Sequence, residues 1–231
     1  MNESLQTVYG AASSSVALEQ RNRVLRNTYW LLALSLVPTV LGAWVGVSTG
    51  VMARLGVGMS LMVFFGGAFA FIYAIEKTKN SAAGVPVLLG FTFFMGLMLS
   101  RLLSAVLGFS NGPSLIMTAF GGTAVIFLAM ASLATVIKRD LSGMGKFLFV
   151  GAVMLLVALV INAFVQSSAL MLTLSVLMMG LFTAFMLYDI KRILDGGETN
   201  YISTTLALYL DIYNVFQSLL ALLGFAGGER D

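Results

Sequence analysis

The sequence predicts an all-α membrane protein of seven transmembrane helices, and three observations carry the prediction. The 231 residues are 59% hydrophobic and only 10% charged, whereas soluble domains are about a quarter charged. The apolar residues come in runs of roughly twenty, the length of helix that spans a ~30 Å hydrocarbon core. Lysine and arginine gather in alternate short loops, the usual orienting signal of a polytopic protein. A β-barrel would show alternating segments of about ten residues instead.

In chain order, residues 1–27 are polar and hold Glu3, Glu19, Arg21, Arg23 and Arg26. They lack the apolar core of a cleavable signal peptide and read as a short cytoplasmic tail. The transmembrane domain follows over residues 28–225. Its spans are expected near 28–48, 56–75, 84–107, 115–137, 147–165, 167–188 and 201–224. Residues 226–231 form a short C-terminal tail. The linkers are short, so consecutive helices should be antiparallel neighbours. With the N-terminus in the cytoplasm, Arg21, Arg23, Arg26, Lys77, Lys79, Lys138, Arg139, Lys146, Lys191 and Arg192 all fall inside, while Arg54 and Arg230 fall outside. That bias favours seven spans over six. The alternative is a seventh segment that re-enters without crossing, since Asp211 weakens it.

The chain has no cysteine and no histidine. This excludes disulfides, thiol catalysis, zinc sites built on those ligands and histidine-dependent triads. The two intramembrane aspartates lie in YDIK and LDIY, not in the GxGD of membrane aspartyl proteases. The expectation is a protein that is not an enzyme, with no cofactor and no nucleic-acid partner. The fourteen methionines read as adaptable packing residues. Gly66–Gly67 and Gly121–Gly122 read as close helix contacts. The loop KRDLSGMGK reads as a topogenic loop, with lipid or partner binding as its second reading.

An ionisable group inside a membrane span is by default a functional-site hypothesis, and the last two spans carry one aspartate each. Taken as a helix, the seventh span puts Thr204, Ala207, Asp211, Asn214, Ser218 and Ala221 on one face. Tyr209, Ile212, Tyr213, Phe216, Leu219, Leu220 and Leu223 cover the other. Small and polar residues favour helix contact and large apolar ones favour lipid. Asp211 should therefore point into the bundle, either as a structural hydrogen-bonding group or in an ion or proton pathway, with Thr204, Asn214 and Ser218 in support. Asp189 ends the sixth span and reads alone as an interfacial aspartate. It becomes a site only if it meets Asp211, because two adjacent carboxylates cannot both ionise cheaply. A symmetric hairpin about Gly196–Gly197 would leave Asp211 about six residues, ~9 Å, too deep. The pair meets only if the turn is asymmetric or span six bends. Arg101, in the third span, is either a cation reaching the headgroups or a buried counter-charge.

The hairpin YDIKRIL…GGETNYI…LYLDIYNVFQSLLALLG resembles the signature of the Bax inhibitor-1 family, also called the transmembrane Bax inhibitor motif family. GFTFFMGLMLS, AFGGTAVIFLAMAS and KRDLS resemble it too, in the right order, so the likeness covers roughly residues 20–225. It is closest to bacterial inner-membrane members. The resemblance implies seven helices with the last one central. It also implies a pH-sensitive calcium leak, in which Asp189 and Asp211 share a proton and pair with a basic residue on the second helix. Span two departs from that pattern: it holds no arginine, and the nearest bases are Lys77 and Lys79, beside Glu76. A lysine cannot reproduce a bidentate arginine clamp.

Three functions follow as expectations. One is a proton-gated cation leak with calcium as permeant ion, Asp189 and Asp211 binding it weakly and transiently. The second is a regulator without transport, because some bacterial members are linked to a membrane-anchored AAA protease, with the N-terminal tail as handle. The third is a proton-coupled transporter of small solutes, which needs a cavity beside Asp211. The partners expected are the lipid bilayer, calcium and protons, and that protease.

Overall fold

In hydrocarbon every backbone N–H and C=O must be satisfied within the protein, so an apolar run of span length folds as a helix. The computed structural model describes residues 3–228, with side chains from residue 18 onward. Eight helices are found among them: α1 (Glu3–Thr49), α2 (Val51–Arg54), α3 (Val57–Thr78), α4 (Gly84–Leu107), α5 (Gly112–Val136), α6 (Met144–Val165), α7 (Ser168–Leu194) and α8 (Tyr201–Gly227). Seven are long and apolar enough to cross a membrane; the span of α1 is Leu18–Thr49. No strand occurs among the described residues. Helix α8 is unbroken over 27 residues, about 40 Å at 1.5 Å per residue, so it crosses and does not re-enter. Helix α1 begins at Glu3, inside the segment read as a tail. Residues 229–231 of the C-terminal tail, Arg230 included, lie outside the described residues.

Helix α8 packs against α1, α3, α4, α5 and α7 and is the most buried of the spans. It is therefore the centre of the bundle. Helix α6 lies outside, against α7, and its Phe147, Phe149, Met154, Ile161 and Phe164 are exposed, as a lipid-facing surface requires.

The tightest crossing joins α1 and α4. A Cβ placed on Gly96 would sit 2.0 Å from Thr39 O, and one on Gly42 would sit 2.1 Å from Phe93 O. Gly46 meets Ser100 in the same way, at 2.4 Å from its Oγ. Gly42 and Gly46 on α1 thus face Gly96 and Ser100 on α4, the small-xxx-small pattern that lets membrane helices touch backbone to backbone. The paired glycines divide their roles. Gly67 packs on the Phe94 ring and Gly122 on Leu219, while Gly66 and Gly121 face open space.

The charged turns collect at one end. Arg21 Nη1 on α1 donates to Leu194 O at the end of α7, at 3.0 Å. Asn200 Nδ2 in the α7–α8 linker donates to Lys79 O and to Asn80 Oδ1 beyond α3, at 3.1 and 2.8 Å. A groove of about 200 Å³ is lined by Asp140, Leu141 and Ser142 of the α5–α6 turn and by Tyr188, Lys191, Arg192, Asp195 and Gly197. In that turn Asp140 accepts from the Ser142 N–H and hydroxyl at 2.8 and 2.9 Å. These bonds, the backbone one first, hold its carboxyl below the usual range.

Asn200 is the N-cap of α8. Its Oδ1 accepts from Ile202 N and Ser203 N at 3.0 and 3.1 Å, satisfying donors that a helix start leaves free. Replacing it with alanine removes the cap and the tie to α3 together. The expected loss is about 1–2 kcal/mol, read as a lower thermal midpoint in detergent. Asn200→Asp, which keeps the cap and loses the amide donor, should fall between the two.

Candidate functional site: a carboxyl pair on the α7–α8 hairpin

The site follows from an offset between two helices. Asp189 lies five residues before the end of α7, and Asp211 lies ten residues into α8. With five residues' difference, ~7.5 Å of rise, a symmetric turn would keep them apart. The linker removes that difference. Gly196, at φ +77°, ends α7 in the left-handed conformation glycine adopts freely. Residues 197–200 then run without helix, and four extended residues reach up to ~13 Å. Asn200 anchors their far end to the α3–α4 turn. Helix α8 therefore starts beyond the end of α7, and Asp211 is carried back level with Asp189.

The two carboxyls come within hydrogen-bonding reach of each other. Asp211 is 3% exposed, and no donor reaches its Oδ2. Ionised carboxylates offer only acceptors, so this contact is a hydrogen bond only while one of the two carries a proton. Asp189 is less buried than Asp211 and lies next to Tyr188, which lines the charged groove. One turn further along α7, Arg192 Nη2 is bonded to Glu198 Oε2 of the linker at 3.0 Å.

The other expected site residues fall out as follows. Thr204 Oγ1 bonds Asn200 O at 2.8 Å, Asn214 Nδ2 bonds Leu210 O at 2.8 Å, and Ser218 Oγ bonds Asn214 O at 2.7 Å. All three are satisfied by the backbone of α8 and its cap, and they line the Asp211 face without touching its carboxyl. Lys79 pairs with Glu76, and Lys77 lies over the Tyr73 ring at 5.6 Å, so the structure does not bring either lysine to the pair. The reading of Arg101 as a buried counter-charge is corrected. Arg101 is exposed and donates to Ser60 Oγ on α3 at 3.2 Å. Its long stem lets the guanidinium reach a polar neighbour outside the bundle core.

The lipid-facing assignment for the second face of α8 is also corrected. Tyr209 and Tyr213 are 1% and 6% exposed, and Leu220 is fully buried. Helices α1 and α4 cover that face. The phenols need partners there: Thr39 Oγ1 lies 2.9 Å from Tyr209 OH, and Tyr213 OH donates to Met95 O at 3.1 Å. A helix at the centre of a bundle has no lipid face, and the tyrosine hydroxyls are the sequence signal for it. Sequence reasoning also passed over Arg21, Glu198 and Asn200. Of these only Asn200 carries a local sign, an N-cap residue just before an apolar run.

Among the described residues no cluster of three or more potential metal ligands occurs. Calcium takes six to eight oxygens, so two carboxyls suit brief contact with an ion better than storage.

These features define a class: a polytopic helical membrane protein whose central last helix pairs a buried carboxyl with one on the helix before it. The chain belongs to the family described as "Inhibitor of apoptosis-promoting Bax1", which it matches over residues 21–228. It is 37% identical to a Vibrio cholerae protein named an uncharacterized membrane protein, over 89% of this chain and 90% of that one. It is 38% identical to an uncharacterized Pseudomonas aeruginosa protein, over 94% and 96%. To the Escherichia coli K12 protein named "Modulator of FtsH protease YccA" it is 32% identical, over 97% of this chain and the whole of that one. A further Escherichia coli relative is named an inner membrane protein. With its seven spans, the chain is a multi-pass inner-membrane protein.

Proposed function

We propose that the chain modulates a membrane-anchored AAA protease and catalyses no reaction itself. The observation that carries this reading is the end-to-end match to a relative named for that role. The polar residues ahead of the first apolar run add support, since they offer a segment for a protease to grip. The basic residues of the turns favour the cytoplasm for that end, by the positive-inside rule. Deleting residues 2–17 spares Arg21 and the hairpin. It should abolish modulation of the protease's turnover of a membrane substrate and co-purification with the protease in detergent. Unchanged modulation by the truncated protein would remove the N-terminal handle, and full-length protein that neither modulates nor co-purifies with the protease would remove the reading.

A second reading rests on the carboxyl pair. Asp189 and Asp211 share one proton, and its loss and gain gate a leak of cations, calcium among them. The support is the contact between two carboxyls with no other donor at Asp211 Oδ2. The solute-transporter reading has less support, since the grooves at the charged end, lined by residues 139–144 and by the Asp140–Gly197 set, do not reach Asp211.

A further inference from the structure

The α5–α6 turn gathers charge that the fold leaves unused. Lys138 and Arg139 follow α5, and Lys146 stands in the first turn of α6. All three are exposed, and none has an acid or a hydrogen-bond partner among the described residues. The acid between them, Asp140, is occupied by the Ser142 N–H and hydroxyl. Arg139 opens onto a cavity of about 340 Å³, lined also by Asp140, Leu141, Gly143 and Met144. On the membrane side the same helix ends are bare. Val136, two residues before Lys138, is 72% exposed, and Phe147, next after Lys146, is 79% exposed. Leu133 and Val150, one turn further into each helix, are exposed as well. Helices α5 and α6 both pack on α7 and barely meet each other. A phospholipid has the complementary layout, with an anionic phosphate at headgroup level and acyl chains directly beneath it.

We propose that the α5–α6 turn is a binding site for the phosphate of an anionic membrane phospholipid, held by Arg139 with Lys138 and Lys146 while the acyl chains lie on Val136 and Phe147.

The site is independent of both the protease and the carboxyl-pair readings. Arginine suits its centre, because the planar guanidinium grips phosphate through two parallel bonds and a lysine does not. Lys138 and Lys146 add point charge, which draws anionic headgroups to a basic cluster at the membrane surface. A soluble phosphate or an acidic peptide would engage the cations but have no use for Val136 and Phe147, which belong to the spans themselves. Topogenic residues act by charge alone, and so does bulk attraction to an anionic surface. A site differs in being saturable and in telling arginine from lysine.

Native mass spectrometry of the full chain in detergent, titrated with phosphatidylglycerol, tests the proposal. One phosphatidylglycerol should be retained at concentrations where phosphatidylcholine is not. Arg139→Gln should weaken that retention by about tenfold, the scale of a hydrogen bond to a charged group, and Arg139→Lys should recover only part of it. Arg26→Gln removes the same charge from the exposed side of an unbroken α1 and should bind as wild type. Equal retention of the two lipids, an equal loss in Arg26→Gln, or full recovery in Arg139→Lys overturns the site. Displacement of the lipid by millimolar inorganic phosphate overturns the lipid assignment in favour of a soluble anion, and displacement by polyglutamate overturns it in favour of an acidic protein segment. Should Arg139→Gln fail to insert, Arg139→Lys decides, since it keeps the charge of the turn.

Discussion

Replacing Gly96 with leucine is expected to unfold or misassemble the bundle, the largest stability effect of any single glycine in the chain. The Cβ alone would lie 2.0 Å from Thr39 O and 2.9 Å from Ala43 N. Both are backbone atoms of α1, so no side-chain rotation relieves the clash, and α1 and α4 must move apart. Separation would also strip the neighbouring contacts of Gly42 and Gly46 and pull Thr39 from Tyr209 on α8. Inserting bulk into a packed core costs about 1–3 kcal/mol where side chains can adjust; here the cost should reach or exceed the top of that range. Thermal unfolding in detergent, followed by loss of the monodisperse peak, measures it. Gly121 and Gly66 provide the control, because nothing lies within 4 Å of a Cβ at either position. Alanine there should be neutral or stabilising by up to about 1 kcal/mol through helix propensity. If Gly96→Leu melts with the wild type, the backbone crossing is not where the structure puts it.

The number of spans and most of their limits were legible because hydropathy and span length are local properties. The expected fourth and fifth spans, 115–137 and 147–165, sit within a few residues of α5 and α6. The sixth span was read as ending at 188, yet α7 runs to Leu194. Hydropathy stops at Asp189, but the backbone does not follow hydropathy: Lys191 and Arg192 suit the negative end of a helix dipole, and only Gly196 turns the chain. Helix α1 exceeds its apolar run at the other end for a related reason, since Arg21, Arg23 and Arg26 form helix well.

The site was legible in part. Helical phase alone put Asp211 on a polar face, and its burial agrees. The meeting with Asp189 was not readable from phase, because it depends on how far residues 197–200 extend and on what holds Asn200. That anchor is Lys79 O, more than a hundred residues away in sequence. The tyrosine face was misread for the same reason. Binary small-versus-large patterning assumes one neighbour and one lipid surface, and a central helix has neighbours all round. Lys77 and Lys79 were named by sequence distance from the second span's end, whereas in the fold Lys79 is taken by Glu76 and Lys77 lies over the Tyr73 ring.

Asparagine at position 211 should abolish any pH response of the pair while leaving the fold in place. Asparagine is close to isosteric with aspartate, and its amide can donate to Asp189 without a titrating proton. In the wild-type chain the contact survives only while one proton is held. Once both groups ionise, two unit charges roughly 4 Å apart repel by about 4 kcal/mol at an effective dielectric near 20. The hairpin then gains a strong reason to open as pH rises through the loss of that proton. With Asp211→Asn only Asp189 can carry charge, so the repulsion never appears and the contact persists across the range. Two measurements follow from that sign. Thermal stability of wild type in detergent should decline on the alkaline side of the shared proton's midpoint, while the variant's stability should be flatter. In liposomes loaded with a calcium dye, any wild-type leak should change with pH and the variant's should not. Asp211→Leu separates charge from hydrogen bonding, since it removes both and leaves Asp189 facing an apolar group. Should Asp211→Asn follow the wild-type pH profile in both assays, the proton is not held between these two carboxyls, and the pair is a structural contact of the bundle.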